Sequence, residues 1–171
     1  MSIFNFPVKD YYIDLGFDFT NEPFESISDE FTGSYEKNCF SCSLHKGAKR
    51  ALEMIYASGI TQSILSAAHQ DYLEKCASYY GIQKFFIKLI GLDNTHAAGK
   101  LENGKKWVSE IPYKKEEIVL IGDTVHDYEV AKAVGCECIL LSLGHHSHDR
   151  LESCNVPVAK DIEHVITMLG L

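Results

Sequence analysis

The chain lacks long apolar runs. Its 171 residues are 46% hydrophobic, yet no stretch approaches the roughly 20 consecutive apolar residues that a membrane helix needs. The sequence therefore predicts no membrane partner. The opening letters MSIFNFPVKDYY show no basic leader followed by a sustained apolar stretch. Secretion is not expected on this ground, and the cytoplasm is the default compartment.

Basic residues are also scarce. Lys and Arg number 16 against 24 Asp and Glu, which gives a formal net charge of −8. Proteins bind nucleic acids and anionic membranes through clustered Lys and Arg that neutralise phosphates. No nucleic-acid partner is therefore expected, and a small anionic ligand would need a local positive site.

The six cysteines do not indicate a disulfide framework, because a chain this long and this rich in apolar residues can build a core without one. Most of them are interpreted as small buried hydrophobic residues. Cys39 and Cys42 form the C-x-x-C pair CFSC, which can indicate redox chemistry or half of a zinc site. No second pair lies at metal-binding spacing, so a linker is favoured and the role of the pair stays open.

The chain shows no internal repeat and no low-complexity tract, and its hydrophobic period changes along its length. Helical spacing predicts helices over about 8–15, 24–38, 45–58, 69–81, 102–111, 126–134 and 161–169. Strand-like runs occupy about 60–66, 85–92, 117–121 and 137–143. Two helices followed by alternating strands and helices predict an α/β fold with a doubly wound, mostly parallel sheet. Ligands of such sheets gather outside the carboxyl ends of the strands.

Two acids stand at one of these strand ends. In IVLIGDTVHDYEVAKAVG, residues 118–135, Asp123 directly follows the strand and Asp127 comes four residues later. Thr124 with Asp127 fits a capping box, and Gly135 fits the residue after a helix end. This explanation accounts for Asp127 but not for Asp123. An acid beside a buried strand is costly unless it is compensated, and a hard cation with oxygen ligands would compensate it.

These residues carry a resemblance to a known family. IGDTVHDYEVAKAVG resembles the fourth motif of the haloacid dehalogenase superfamily, an apolar strand, then GD, then a second Asp four residues after the first. SILSA resembles its second motif and contains Ser66, and Lys100 in AAGKLENGKKWV is placed like the lysine of its third motif. The resemblance covers about residues 45–171 and is strongest to the phosphoglycolate phosphatase-like branch. It implies a Rossmann-like core over 43–171 with part of a helical cap over 1–42.

The resemblance also implies a role for each site residue. Asp123 would bind Mg²⁺ directly, and Asp127 would orient a metal-bound water. Ser66, followed by Ala67, would hydrogen-bond the transferring phosphoryl group of a small phosphorylated metabolite, and Lys100 would offset its charge. These roles make chemical sense because catalysis of phosphoryl transfer is mostly positioning and electrostatic stabilisation.

Ordinary explanations exist for two of these residues. A serine after a strand commonly starts a turn, and Lys100 lies near Lys105 and Lys106 in what could be a solvated cluster. Lys105 is the rival if the third motif is shifted. Lys100 is favoured because it precedes the predicted helix.

The first motif of the family, DxDx(T/N) after its first strand, has no match. GFDFT, residues 16–20, keeps Asp18 and Thr20 but has Gly16 in the nucleophile position, and it follows a helical pattern. We reject it. The family's motif and its first core strand, which is central in the sheet, would lie upstream of the cap, so either the sequence is a fragment or a shortened protein fills the gap in another way. Loss of a nucleophile from a cooperating set costs on the order of 10⁴ to 10⁶ in rate. The chain as written is therefore expected to be nearly inactive.

Histidines flank the acids. His145, His146 and His148 in GHHSH could bind a soft or borderline metal, or lie in a loop near the substrate. His126 is expected to face solvent or substrate.

The leading function is a magnesium-dependent phosphomonoester hydrolase, here a fragment or inactive form. The alternative is a non-catalytic relic that binds a phosphorylated ligand or a partner protein. A phospho-receiver domain ranks last, because its acidic pair would follow a first strand and this chain opens with two helices.

Overall fold

The computed structural model of the chain describes residues 4–93 and 100–171. The letters of the third motif that precede Lys100 lie outside these ranges. Within them, every strand pairing is parallel, which confirms the α/β class.

The described helices and strands alternate after residue 48. The helices are α1 (Val8–Asp14), α2 (Phe24–Asn38), α3 (Ala48–Ala57), α4 (Gln70–Tyr79), α5 (Leu101–Glu110), α6 (Val125–Val134), α7 (His148–Glu152) and α8 (Ile162–Met168). The strands are β1 (Ser63–His69), β2 (Lys88–Leu92), β3 (Val119–Gly122), β4 (Glu137–Leu141) and β5 (Val158–Ala159). Short 3-10 helices cover Cys39–Ser41, Gln83–Phe85 and Lys115–Glu117. No described helix combines the length and apolar character needed to cross a membrane.

Each helix and strand predicted from the sequence has a counterpart in this set. The helices over 24–38 and 126–134 match α2 and α6 to within one residue. The strand predicted at 60–66 begins three residues later, at Ser63. Two elements were not predicted, α7 and β5, because five and two residues are too short to display a period.

The chain divides into two compact units. The N-terminal unit runs from Asn5 to Lys100, and the C-terminal unit joins Phe4 to Leu101–Leu171. The division into a partial cap over 1–42 and a core over 43–171 stays a prediction.

In the N-terminal unit, β1 and β2 form a two-stranded sheet whose ladder is interrupted. Leu65 pairs with Ile90, and the register then shifts before His69 pairs with Leu92. The side chain of Gln70 fills this break: its Nε2 donates to the carbonyl of Leu89 at 3.1 Å, and its Oε1 accepts from the amide of Gly91 at 2.6 Å. The Gln70 amide thus replaces a peptide of the neighbouring strand.

Gly91 is required at this break. A Cβ at position 91 would lie 2.7 Å from the Cα of Gln70 and 2.8 Å from the carbonyl oxygen of Ala68, both of which are backbone atoms. Backbone cannot swing aside as the end of a long side chain can. A glycine therefore permits the close approach that brings the segment after β1 against β2.

In the C-terminal unit, β4 lies between β3 and β5 and packs on both faces. One cluster joins Cys138 and Leu140 of β4 to Ala131 of α6 and Leu151 of α7. The alternate residue Ile139 packs instead with Ala159 and with Val165 of α8. Because successive strand side chains point to opposite faces, helices cover both sides of this sheet, as in a doubly wound fold.

Four of the five described strands have one strand partner each. β1 and β2 pair with each other, whereas β3 and β5 both pair with β4. The absence of the family's first core strand stays a prediction.

Candidate functional site

The turn between β3 and α6 is organised around Asp127. Its Oδ2 accepts hydrogen bonds from the amide of Asp123 at 3.0 Å, the amide of Thr124 at 2.9 Å and the hydroxyl of Thr124 at 2.7 Å. The Thr124 hydroxyl oxygen in turn accepts from the amide of Asp127 at 3.2 Å. The predicted capping box is confirmed. Asp127 is only 4% exposed, so these donors compensate the burial of its carboxylate.

A glycine makes room for this buried acid. A Cβ on Gly122, the last residue of β3, would lie 2.6 Å from the Oδ2 of Asp127 and closer still to its Cβ and Cγ. The GD pair of the sequence therefore has a steric basis in addition to the chemistry of the Asp. At the other end of α6, Gly135 has φ 84°, which confirms the predicted helix end.

Asp123 has a more open environment. Its side chain is 40% exposed, and its Oδ2 accepts from the backbone amide of His145 at 3.0 Å. The Nδ1 of His145 lies 3.3 Å from the same oxygen. The backbone of Gly144 runs against this carboxylate so closely that a Cβ there would lie 2.6 Å from the Cβ of Asp123 and would overlap its carboxyl group. The loop after β4 therefore sets the orientation of Asp123.

His146 lies beneath this loop and is 3% exposed. Its Nδ1 accepts from the amide of Val125 at 2.9 Å, and its Nε2 lies 2.9 Å from the carbonyl oxygen of Phe4. An Nδ1 that accepts a hydrogen bond carries no proton, so the ring is neutral and Nε2 donates to Phe4. Burial lowers the pKa of His146, which favours the same neutral state.

The remaining histidines differ in their surroundings. His148 belongs to α7 and faces Glu152 at 3.3 Å, an ordinary surface pair. The side chain of His126 is 17% exposed, and its Nδ1 lies 3.5 Å from Glu129. The side chain of His126 is therefore more buried than the sequence predicts for a residue that faces solvent or substrate.

Ser66 and Lys100 meet at the end of the β1 ladder. The ammonium of Lys100 donates to the carbonyl of Leu65 at 3.1 Å, directly beside Ser66. The hydroxyl oxygen of Ser66 accepts from the amide of Ala68 at 3.1 Å, with Ala67 between them. This contact is the one expected of a serine that starts a turn after a strand. It uses the hydroxyl oxygen as an acceptor, so the hydroxyl proton can still be donated to a ligand.

The rival lysine has a different environment. Lys105 lies within α5 and pairs with Glu102 at 2.8 Å, with both side chains largely exposed. An exposed pair at this spacing contributes little beyond local helix stability. Lys100 is therefore the better candidate for the third-motif lysine.

The five predicted site residues thus form two sets. Asp123 and Asp127 share one turn of the C-terminal unit. The N-terminal unit brings Lys100 to the peptide that precedes Ser66 and Ala67. That the two sets form one site stays a prediction.

The acidic turn fits one class of metal ion. No group of three or more His, Cys, Asp or Glu side chains in residues 4–93 and 100–171 could hold a metal. The turn offers one open and one buried carboxylate. Mg²⁺ is usually bound through one or two carboxylates and keeps several waters. This donor set suits Mg²⁺ and would not suit an ion that needs an all-protein cage.

The C-x-x-C pair has a structural contact. The hydroxyl oxygen of Tyr80 lies 2.9 Å from the carbonyl oxygen of Cys39 and 2.8 Å from that of Cys42, so its one proton is shared between the two acceptors. Neither cysteine forms a disulfide among the described residues, and Cys39 is buried whereas Cys42 is exposed. These contacts tie the end of α2 to α4, which agrees with the linker interpretation.

Gly144 follows a predicted strand, but neither its contact with Asp123 nor the buried contacts of His146 are predicted from the sequence. The available signal was the run LGHH directly after a predicted strand, since a glycine at a strand end often marks a close backbone approach. Nothing in the sequence shows which residue approaches it.

Comparisons with known proteins place this geometry in a family. The family model of haloacid dehalogenase-like hydrolases matches residues 2–141. A phosphoglycolate phosphatase from Vibrio parahaemolyticus is 23% identical over 119 residues, which are 69% of this chain and 52% of that protein. A pyrophosphatase from Listeria welshimeri is 30% identical over 89 residues, which are 52% of this chain and 41% of that protein. The chain thus spans about half the length of the curated relatives it matches.

A solved structure supports the fold. A haloacid dehalogenase-like hydrolase from Streptococcus pneumoniae superimposes with a TM-score of 0.82 at 16% identity, covering 95% of this chain and 76% of that one. The similarity to a phosphoglycolate phosphatase agrees with the branch that the sequence predicted. The family match covers well over half of the residues and includes the turn that carries Asp123 and Asp127. The chain belongs to the haloacid dehalogenase-like hydrolase family.

Proposed function

We propose that this chain carries the metal-binding and phosphoryl-binding residues of a magnesium-dependent phosphomonoester hydrolase that acts on a small phosphorylated metabolite. The observation that supports it best is the unequal environment of two acids at the carboxyl end of one strand. Asp123 is open to a ligand, whereas Asp127 is buried with its Oδ2 accepting three hydrogen bonds. This is the combination that one direct metal ligand and one supporting acid require.

Each residue has a distinct task in this proposal. Asp123 would supply a carboxylate oxygen to Mg²⁺, and Asp127 holds the turn and would orient a water toward the ion. When bound, Mg²⁺ offsets charge that develops on the phosphoryl oxygens. Ser66 donates its hydroxyl proton to a phosphoryl oxygen. Lys100 supplies the positive charge that a chain of net charge −8 needs locally to hold an anion.

The nucleophile is the missing part of this machinery. The sequence contains no DxDx(T/N) motif, and the only similar stretch has Gly16 in place of the first Asp. Without that carboxylate no phosphoryl group is transferred to the protein. We therefore propose that the chain as given binds its ligands and turns them over at least about 10⁴-fold more slowly than a form with the nucleophile.

The test compares this chain with a version extended upstream by an apolar strand that ends in DxDx(T/N). Release of inorganic phosphate from small phosphomonoesters is measured with and without Mg²⁺. We expect activity only in the extended chain with Mg²⁺. We also expect Asp123→Asn in the extended chain to abolish it. An extended, folded chain that stays inert toward every monoester would refute the proposal.

A non-catalytic role is the second candidate, because the acid pair and Lys100 are present without the nucleophile motif. It predicts binding of a phosphomonoester such as 2-phosphoglycolate to the chain as given, dependent on Mg²⁺ and without phosphate release. Titration calorimetry measures this directly. Activity in the extended form and ligand binding in the short form are separate results, so the two candidates can be told apart.

A further inference from the structure

We infer that His146 is a positioning residue for the acidic turn, and that it acts through the first amide of α6. In the C-terminal unit it is one of three polar side chains, with Thr124 and Asp127, that are buried among the described residues. All three lie at this turn. The functional meaning of the inference rests on the proposed function, because it concerns the orientation of the proposed metal ligand.

The backbone amides at the start of α6 depend on acceptors outside the helix. The first amides of a helix have no partner within it and need acceptors from elsewhere. The amides of Asp123 and Thr124 donate to Asp127, and the amide of Asp127 donates to Thr124. The amide of Val125 lies between them and donates to Nδ1 of His146. His146 therefore supplies an acceptor that the capping box does not provide.

The orientation of the ring is fixed from both sides. Because Nδ1 accepts from Val125, the proton lies on Nε2 and is donated to the carbonyl of Phe4. The same carbonyl accepts from Nη1 of Arg150 at 2.8 Å. Both ring nitrogens are thus engaged within the protein, and the ring is 3% exposed. Because both ring nitrogens are already hydrogen-bonded, His146 is not a metal ligand in this arrangement, and its role is to position the turn.

The link to Asp123 runs through one peptide. The amide of His145, next to His146 in the chain, donates to the Oδ2 of Asp123 at 3.0 Å. The ring of His145 stacks on Phe4 with 4.5 Å between ring centres, so the same residue supports both histidines. His146 touches neither acid. His146 fixes the start of α6 against the loop after β4. Asp123 lies between these two segments and is oriented by them.

Two substitutions separate the two nitrogens. In His146→Asn, the shorter amide lies near the position of Nδ1 and its oxygen can accept from Val125, whereas the contact to Phe4 is lost. In His146→Gln, the longer amide can reach Phe4, but no acceptor remains for Val125. Each variant removes one hydrogen bond of the His146 side chain. If His146 served only to stabilise the fold, the two variants would therefore behave alike in the measurements below.

The first measurement is amide hydrogen exchange at Val125 by NMR in the full chain. We expect exchange at least tenfold faster in His146→Gln and within about threefold of the parent in His146→Asn. Similar exchange rates at Val125 in both variants would overturn the inference. A second measurement needs no variant: the imidazole nitrogen shifts of the unsubstituted chain at pH 7.5 should show the neutral form with its proton on Nε2. A proton on Nδ1 would also overturn the inference.

The functional readout is the affinity for Mn²⁺, followed by electron paramagnetic resonance. Loss of a hydrogen bond made directly to a metal ligand typically weakens metal binding by about 10-fold to 100-fold. His146 acts one step further out, through the amide of Val125, so we expect a loss at the lower end of this range, about 10-fold, in His146→Gln and less than about threefold in His146→Asn. If the unsubstituted chain binds no Mn²⁺, the proposed metal site fails, while exchange at Val125 still decides the role of His146.

Discussion

At the scale of single residues, the site depends on how differently the protein treats two aspartates four positions apart. Asp127 is 4% exposed and its Oδ2 accepts three hydrogen bonds, whereas the side chain of Asp123 is 40% exposed. Burial makes the first essential to the turn, and exposure leaves the second free to bind a ligand. Identical side chains therefore have separable effects on stability and binding.

Replacing each aspartate by alanine tests this separation. Asp127→Ala leaves buried donors without their acceptor, and we expect the free energy of unfolding to fall by about 2–3 kcal/mol. Asp123→Ala is the matched control, with an expected loss of no more than about 1 kcal/mol, because its side chain is partly solvated. Urea denaturation followed by circular dichroism measures both. Equal losses in the two variants would contradict the assignment.

The cysteines give a second residue-scale prediction. Cys138 is 5% exposed in the core of the C-terminal unit, and burial raises the pKa of its thiol to about 12. Alkylation requires the thiolate, which is scarce when the pKa lies far above the working pH. We expect iodoacetamide at pH 8 to label the exposed Cys42 first and to leave Cys138 unlabelled until urea unfolds the chain. Peptide mass spectrometry shows the order.

Cys42→Ser is the control for this experiment and should remove the earliest labelled site. Labelling of Cys138 at the rate of Cys42 in the folded protein would be inconsistent with its place in the core.

At the scale of elements, the break in the β1 ladder shows how one side chain and one glycine replace regular pairing. Gln70 bonds Leu89 and Gly91 where β1 leaves its register. The residues without a partner in the ladder there are Ser66, Ala67 and Ala68. The position of Ser66 therefore depends on contacts that lie outside the motif itself.

Gly91→Ala tests this dependence. The added Cβ meets backbone atoms of Gln70 and Ala68 at 2.7 and 2.8 Å, so we expect a loss of about 1–3 kcal/mol in the free energy of unfolding. Gly33→Ala is the matched control: Gly33 lies inside α2, and a Cβ there meets nothing within 4 Å. That change should stabilise the protein by about 0.5–1 kcal/mol. If Gly91→Ala leaves the free energy of unfolding unchanged, the segment after β1 can move away from β2 without an energetic cost, which contradicts the prediction.

The elements also show the limits of prediction from sequence. The spacing of apolar residues predicts the helix over 24–38, and the helix over 126–134 lies between a capping box and Gly135, so local signals determine both. The capping box was predicted because Thr124 and Asp127 are three residues apart, so local spacing determines it. His146 and Val125 are 21 positions apart. Their contact depends on strand pairing, which no local pattern specifies.

At the scale of the whole molecule, the net charge of −8 restricts the partners more than any single motif does. The sequence predicts no nucleic-acid partner. We expect labelled duplex DNA at 0.15 M salt to show no anisotropy change, which corresponds to a dissociation constant weaker than the 10⁻⁴ M limit of typical non-specific binders. Binding that weakens steeply with added salt would contradict this prediction, because it would reveal a basic surface.

The close approach of Gly144 to Asp123 has a genetic consequence. Every single-base change of a glycine codon that alters the amino acid introduces a Cβ, and at position 144 that atom would overlap the carboxyl group of Asp123. No single-base change that replaces this glycine by another amino acid is therefore harmless. In a saturation library selected for metal binding, position 144 should tolerate as few amino acids as position 123, although it contributes no side chain to the chemistry.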